Sequence, residues 1–405
     1  MKHQRRARFH AATAFLNSLL LEWPRAERMP APGEIEHAGE ALVITLMEGR
    51  RLWLPLTKFS LVGRHRYAGK FYAESSGDFH AINFSDLRTM IAPSLASHFG
   101  AKPAEDFEAR VRESTAIMAR TLEIREESIR ALYEESAGFL SAEQGLSLGH
   151  SFHPTPKSRE GFSDADLSKY SPEFGGAFLL AWYLVKPAAL AEETSPKASH
   201  WLQDLFAAEV GAEEAARVAQ AGWIPLPAHP WQKEKVSGLG AIAGLRARGL
   251  LKDHPGGDKP WYPTSSLRTI YREGAPYMLK FSMSVRLTNS VRHITPAELR
   301  RGLQVHEVLG SAPAQSLKEE FPDFAILSEP AFAALSQDGK APIIESIVVA
   351  RENPFAAKDP AIVVATLAQE APLGGESLLS ARAREVGSAS RWLSEFLRIA
   401  IEPFL

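Results

Sequence analysis

The sequence predicts an α+β fold in which a mainly antiparallel sheet carries the chemistry and the C-terminal region is largely helical. Two kinds of pattern predict it. Short apolar or alternating segments joined by tight turns recur at 41–56 and 265–287, as antiparallel hairpins do. Charged stretches with apolar residues at three- and four-residue steps occupy 103–137 and much of the chain after 295, which is helical periodicity.

Composition narrows the function classes. The chain has 405 residues, 45% hydrophobic and 23% charged, with 46 Lys+Arg against 48 Asp+Glu for a formal net charge of −2. That is ordinary globular composition, long enough for about two to four domains or lobes. The near balance of charge gives no reason to expect a nucleic acid as main partner, although a local basic cleft is compatible with it. With no cysteine the chain has no disulfide, no thiolate metal site and no thiol nucleophile.

Taken in order, the elements begin with a helix. Lys2, Arg5, Arg6 and Arg8 precede an apolar stretch ending at Leu21, but Asn17 and Ser18 interrupt it. Glu22-Trp23-Pro24 stands where a secretory signal needs small residues, so the stretch reads as an amphipathic surface helix. No run reaches the roughly 20 apolar residues of a membrane span, so a soluble, cytoplasmic protein without a membrane partner is expected. A turn-rich link from Pro24 to Gly33 follows. Ala41–Leu46 and Leu52–Leu56 then read as strands joined across Glu48-Gly49-Arg50, with Pro55 suggesting a sheet edge.

In the charged helical stretch at 103–137, Phe107, Val111, Ile117, Leu122, Ile129 and Leu132 are the expected buried positions. Gly, Pro, His and Trp cluster between Gly145 and Thr295, the composition of loops that carry function on a scaffold. Thr295-Pro296-Ala297-Glu298 specifies a helix start, with a capping Thr, Pro at the first helical position and Glu three residues after the cap. That helix runs to about Leu309, and a strand-like Ile343–Ala350 interrupts the helical remainder.

Three clusters can carry chemistry. Gly149-His150-Ser151-Phe152-His153-Pro154-Thr155-Pro156-Lys157-Ser158-Arg159 is a proline-broken loop rich in donors, with a Lys point charge and an Arg fork suited to phosphate or carboxylate oxygens. A solvated basic loop is its plain alternative, and a zinc site is disfavoured because the two His lack a metal-ligand spacing. Pro227-Ala228-His229-Pro230-Trp231-Gln232 reads mainly as a packed turn. The third runs from Tyr277 to Leu287: Tyr277, Leu279, Phe281, Met283, Val285 and Leu287 alternate with Lys280, Ser282, Ser284 and Arg286. Ser265–Tyr271 can pair with it through Glu273-Gly274-Ala275-Pro276, bringing Ser266, Arg268 or Thr269 alongside Lys280. A solvated sheet face is the alternative, but a polar face of hydroxyls and cations without an acid suits a polyphosphate. The sequence contains no GxxxxGK[ST] loop, GxGxxG turn or GxSxG elbow, so a nucleotide site of another kind is required.

In their order along the chain these segments resemble the IucA/IucC family of siderophore synthetases, which work without a nonribosomal peptide synthetase. The resemblance is carried by Gly149–Phe162, His229-Pro230-Trp231-Gln232, Ser265-Ser266-Leu267-Arg268-Thr269, Lys280 through Thr288-Asn289-Ser290-Val291-Arg292, and Val348–Pro354 with its Arg-Glu-Asn-Pro. It implies an AMP-forming, ATP- and Mg²⁺-dependent carboxylate–amine ligase acting on citrate or a related acid and an amine or amino alcohol. It implies ATP contacts from Ser266, Arg268, Thr269 and Lys280, with His153 and Lys157 closing over the phosphates. Arg292 and Thr288 would bind the carboxylate substrate, and Arg292, Lys280 and His153 would be the catalytic set. No metal-binding residue follows from it.

The implied architecture is a hand: a thumb over 1–140, ATP-binding fingers over 141–310, and a helical palm from 311 to 405. A homodimer is expected by analogy alone. Ser151 stands where the family often has proline. Family members also continue through a further palm segment with a His/Gln-containing motif and an acidic residue, for which no stretch of this sequence is a match. A truncated or degenerate member is therefore the expectation, and a non-catalytic nucleotide- or carboxylate-binding remnant, or a partner of a full-length synthetase, is the alternative function.

Overall fold

The computed structural model describes residues 1–23, 25–36, 39–134 and 138–402. Pro24, at the head of the expected link, Ala137, at the end of the expected helical stretch, and the apolar Pro403-Phe404-Leu405 lie outside the described residues. The chain divides into two compact units. The first comprises Met1–Glu126, Ser147–Glu160 and Gln369–Gly375, the second Glu127–Leu146, Gly161–Ala368 and Glu376–Leu405.

In the first unit an antiparallel sheet runs in the order Ala26–Pro30, Glu40–Thr45, Arg51–Lys58, Phe71–Ser75, Asp78–Ile82, with Arg66–Tyr67 also paired to Arg51–Lys58. Alternation along two strands splits their side chains between two cores. Leu42, Ile44, Leu52 and Leu54 join Phe15, Leu16 and Leu20 of the first helix and Leu87 and Ile91 of helix Phe84–Phe99. Ala41, Val43 and Trp53 face Ile35 and Tyr72 on the other side.

Two expectations are corrected in this unit. The strand holding Pro55 is interior, not an edge: its partner changes from Phe71–Ser75 to Arg66–Tyr67 along its length, with a register shift between Leu56 and Lys58. Pro55 sits at that change, where a missing N–H is tolerated. The first helix, Lys2–Glu22, is not a one-sided surface helix either, because Ala7, Ala11, Ala12, Ala14, Phe15 and Leu16 are all buried. Asn17, which broke the apolar stretch, is buried and satisfied, donating to the His65 carbonyl at 3.3 Å and accepting from the Tyr67 hydroxyl at 3.1 Å. The charged stretch forms helices Phe107–Ile124 and Glu126–Glu134, which bury Val111, Ile117, Leu122, Ile129 and Leu132 as expected.

The second unit is built on a seven-stranded sheet in the order Leu190–Thr194, Ala331–Leu335, Val348–Glu352, Tyr277–Phe281, Thr269–Tyr271, Pro260–Pro263, Phe178–Leu179. The predicted hairpin is its centre. Thr269 pairs with Lys280 and Ile270 with Leu279, and Gly274 takes the left-handed turn position at φ 71°. On one face Leu279, Phe281, Met283 and Val285 enter a core with Trp182, Trp201, Phe206 and Trp261.

The run from 277 to 287 is not one continuous strand. It breaks at Ser282, whose amide donates to the Ile347 carbonyl at 2.9 Å, and Met283–Leu287 continues as a separate ribbon paired with Ser290–Arg292. The later strand also starts downstream of its expected position: Ile344–Ser346 is a single 3₁₀ turn and Val348–Glu352 is the strand. Helix Pro296–Leu309 begins with the predicted capping box, Thr295 bonding the Glu298 amide and Glu298 bonding the Thr295 amide. No described helix is long and apolar enough to cross a membrane.

Candidate functional site

Thr269, Lys280 and Arg351 share the sheet face opposite the tryptophan core, while Arg292 lies on the neighbouring ribbon. Cross-strand partners share a face, so the Thr269–Lys280 pair puts both side chains there, and Met278 with its partner Arg351 sits one step along. The turn leading into Thr269 is tightly tied. The Thr264 amide and hydroxyl both donate to the Thr269 carbonyl, at 2.9 and 2.8 Å, and the Thr269 amide donates to Ser266 Oγ at 3.2 Å. Leu267 is fully buried at φ 66°, a conformation a bulky residue adopts only when its surroundings impose it. The residue on each side of it, Ser266 and Arg268, is one the sequence singles out.

Around this turn lies a cluster of cations. Lys280 Nζ donates to Glu329 at 3.0 and 3.3 Å, and Arg351 donates to the same carboxylate at 3.1 and 2.6 Å. Arg268 lies 3.8 Å from Glu298, and Arg292 donates to Thr288 Oγ1 at 3.0 Å. Burial pushes the Arg268 guanidinium below its ordinary value; Glu298 and Glu329 oppose the shift, while Arg292 and Arg351 add to it. Arg268, Lys280, Arg292 and Arg351 therefore act in one field with the two carboxylates, leaving an excess of positive charge. Burial raises the Glu329 carboxyl, but Lys280 and Arg351 outweigh burial and hold it below the usual range.

Beside the cations opens a cavity of about 210 Å³ lined by Phe139, Glu143, Thr264, Thr269, Met278, Leu327, Arg351 and Phe355, with Ala361, Ile362 and Val363. Two aromatic rings form one part of its wall. Phe139 stacks on Phe355 with ring centres 4.3 Å apart, and Tyr271 meets Phe139 edge-on while its hydroxyl donates to the Phe355 carbonyl. Thr269 and Arg351 belong both to this lining and to the charged cluster. An apolar slot that opens onto cations and hydroxyls can take a ligand with a flat apolar end and an anionic end.

Ser282 and Ser284 have a different role from the anion contact the alternation suggested. Ser282 Oγ accepts the Ile294 amide at 2.9 Å, and Ser284 Oγ lies 3.0 Å from His293 Nε2. Gln232 fixes Ser284 from behind, accepting its amide at 2.8 Å and donating to its hydroxyl at 3.0 Å and to the Glu345 carbonyl at 3.0 Å. The two serines thus stitch down the residues that follow Arg292. His229, in the same turn as Gln232, is a core residue: it is buried between Tyr170, Phe178 and Phe281, neither ring nitrogen has a partner among the described residues, and burial pushes its pKa down to about 3.

The other predicted nucleotide contacts, His153 and Lys157, belong to the first unit. Their loop is not a solvated basic loop. Thr155, Lys157 and Ser158 are buried, the Lys157 amide donates to Ser114 Oγ at 2.9 Å, and Ser158 Oγ donates to Glu113 at 2.6 Å. Gly149 takes φ 78° where a Cβ would stand 2.8 Å from the Pro156 carbonyl oxygen.

Sequence reasoning missed Glu329, Glu143 and the clamping role of Gln232. It recorded Arg351 and Glu298 as parts of motifs without a role in the site. Among the described residues no three His, Asp or Glu side chains gather as a metal site.

Comparison with known proteins bears on this arrangement. The profile of the IucA / IucC family matches residues 138–369. The N(2)-citryl-N(6)-acetyl-N(6)-hydroxylysine synthase of Vibrio mimicus is 32% identical over 405 residues, spanning 96% of this chain and 67% of that protein. Rhizobactin siderophore biosynthesis protein RhbC of Rhizobium meliloti is 31% identical, spanning 97% of this chain and 70% of that protein. The ATP-bound aerobactin synthetase IucA from a hypervirulent pathotype of Klebsiella pneumoniae superposes with a TM-score of 0.88 at 32% identity, over 97% of this chain and 72% of that one.

Proposed function

The chain belongs to the IucA/IucC family, and from that premise we propose how its second unit serves an ATP-dependent siderophore synthetase that condenses citrate or a related acid with an amine or amino alcohol. The observation that carries the proposal is the junction of the apolar cavity with Arg268, Lys280, Arg292 and Arg351. Adenine enters the cavity that Phe355 and Met278 help to line, and the triphosphate runs onto the cations and the Thr269 hydroxyl. A substrate carboxylate held by Arg292 and Thr288 attacks the α-phosphorus, forming an acyl-adenylate and releasing pyrophosphate. The amine or hydroxyl of the second substrate then attacks the acyl carbon, and AMP leaves.

The charges present suit that sequence. Negative charge develops on the oxygens around the attacked phosphorus and on the leaving pyrophosphate, where fixed cations in a poorly hydrated site act most strongly. Arg268, Lys280, Arg292 and Arg351 against Glu298 and Glu329 leave a net of two positive charges. ATP carrying Mg²⁺ has about two negative charges, and Mg²⁺ typically sits on phosphates, water and one or two carboxylates rather than in a protein cage. Glu298 and Glu329 stand among these cations and would supply carboxylates to such a complex. For His153 and Lys157 the proposed phosphate contacts rest on their motif positions alone, as does the division into thumb, fingers and palm.

The test is pyrophosphate release from ATP and Mg²⁺, with citrate and a panel of diamines and N-hydroxylated amines. Carboxylate-dependent release that is lost in Arg292→Ala is the expected result. ATP binding with no release for any acid and amine tried would favour a non-catalytic nucleotide-binding protein.

A further inference from the structure

We propose that Glu143 recognises the ribose hydroxyls of the bound nucleotide and so makes the site selective for ribonucleotides. This rests on reading the cavity as the nucleotide site. Glu143 closes the short helix Phe139–Glu143, whose first residue stacks on Phe355 in the aromatic wall. One turn of helix thus delivers an apolar ring to one part of the cavity and a carboxylate to another.

The two oxygens of that carboxylate are used unequally. Glu143 Oε2 accepts the Ser265 amide at 2.8 Å, which ties it to the turn bearing Ser266 and Arg268. Oε1 makes no hydrogen bond among the described residues. The carboxylate is therefore held in place by one oxygen and has acceptor capacity left on the other.

Its position limits what can use that capacity. In any nucleotide the sugar lies between base and phosphates, and Glu143 links the aromatic wall to the turn that opens the cation cluster. A carboxylate facing phosphate would repel it. Vicinal hydroxyls are donors of the right kind, and an acidic side chain on the ribose is how dinucleotide-binding folds read that sugar. A site built to accept from a hydroxyl discriminates against the analogue lacking it, since Oε1 is then covered by the ligand without a donor.

Calorimetric titration of the full chain with the Mg²⁺ complexes of ATP, 2′-deoxyATP, 3′-deoxyATP and inosine triphosphate tests the proposal. The wild type should bind ATP about tenfold more tightly than at least one deoxy analogue, the size of a lost charge-assisted hydrogen bond. Glu143→Ala should bring that ratio close to one. Glu143→Gln, which can still accept the Ser265 amide, should lower it with less risk to the turn. Equal affinity for ATP and both deoxy analogues overturns the ribose assignment while leaving the nucleotide site intact. So does preference for ATP over inosine triphosphate with none by sugar, or a wild-type ratio that survives both substitutions. Absence of any ATP binding overturns the nucleotide reading of the cavity and this assignment with it.

Discussion

Lys280 Nζ lies 3.0 Å from Glu329 Oε1, the same oxygen that receives Arg351 at 2.6 Å. One carboxylate therefore holds two cations from adjacent strands at fixed separation on the face where Thr269 is cross-strand to Lys280. Glu329 screens their repulsion, and in the proposed nucleotide site both would meet phosphate oxygens. Lys280→Met should lower affinity for Mg²⁺-bound ATP by about 10- to 100-fold, as expected for a hydrogen bond from a charged donor. Calorimetry measures it. Unchanged affinity would remove Lys280 from the nucleotide site.

Glu329 itself should be visible in acid. Burial raises its carboxyl, and the stronger pull of Lys280 and Arg351 leaves it below its ordinary value of 4.5. A depressed carboxyl stabilises the fold fully above the unfolded value and loses that stabilisation as pH falls through the folded one. Denaturant unfolding of wild type should therefore weaken from about pH 4.5 downward. Glu329→Gln should be less stable by about 2–3 kcal/mol at neutral pH, because two half-buried cations lose their counter-charge. Its acid dependence should be flatter. A variant as stable as wild type at pH 7 would show that the pair is solvated.

The part of this site legible in the sequence is the part built from neighbours in the chain. Alternation and a Gly-containing turn predict the Thr269–Tyr271 and Tyr277–Phe281 hairpin, and Thr295 with Glu298 predicts the helix start. Glu329 has no such signal: it precedes strand Ala331–Leu335 in a segment without period, and only strand pairing across 49 residues brings it to Lys280. Ser282 and Ser284 misled for a related reason. Alternation correctly removed Ser284 from the core side, but it cannot say that a second layer, Gln232 and His293, already occupies that side. The edge inferred from Pro55 failed because a Pro also fits where one strand changes partners.

His229 gives a second pH dependence, of opposite chemical origin. Burial pushes its pKa from 6.5 down to about 3, so the unfolded chain takes up a proton below pH 6.5 that the folded one does not. Stability from this residue is therefore intact above pH 6.5 and declines as pH falls toward about 3. The slope for one such group is about 1.4 kcal/mol per pH unit. His229→Phe keeps a ring among Tyr170, Phe178 and Phe281 and should flatten unfolding free energy between pH 6.5 and 5. An unchanged slope would mean that the imidazole protonates in the folded state.

The capping box beside the cations separates stability from chemistry. Thr295→Ala removes the acceptor for the Glu298 amide and should destabilise by about 1 kcal/mol. Glu298→Gln preserves a side-chain acceptor for the Thr295 amide but withdraws a negative charge 3.8 Å from Arg268. Affinity for Mg²⁺-bound ATP should rise slightly in Glu298→Gln if the carboxylate only screens Arg268. It should fall if Glu298 takes part in holding the metal. Titrations with and without Mg²⁺ distinguish the two.

Gln232 tests whether the Arg292 arm is the carboxylate site. Its amide accepts from Ser284 N and donates to Ser284 Oγ and to the Glu345 carbonyl, which leaves the Ser284 hydroxyl hydrogen for His293 Nε2. Arg292 immediately precedes His293, so the buried glutamine fixes the arm without touching a ligand. Gln232→Ala should raise the KM for citrate by about tenfold, the effect of loosening one oriented charged contact, while affinity for ATP changes by less than about twofold. Gln232→Glu should be worse than Ala for stability, because a carboxylate accepts the Ser284 amide but faces the Glu345 carbonyl with no donor. A merely structural glutamine would weaken ATP and citrate alike, in proportion to lost folded protein. Steady-state kinetics with citrate varied at saturating ATP, set beside ATP calorimetry on the same preparations, separates the two outcomes.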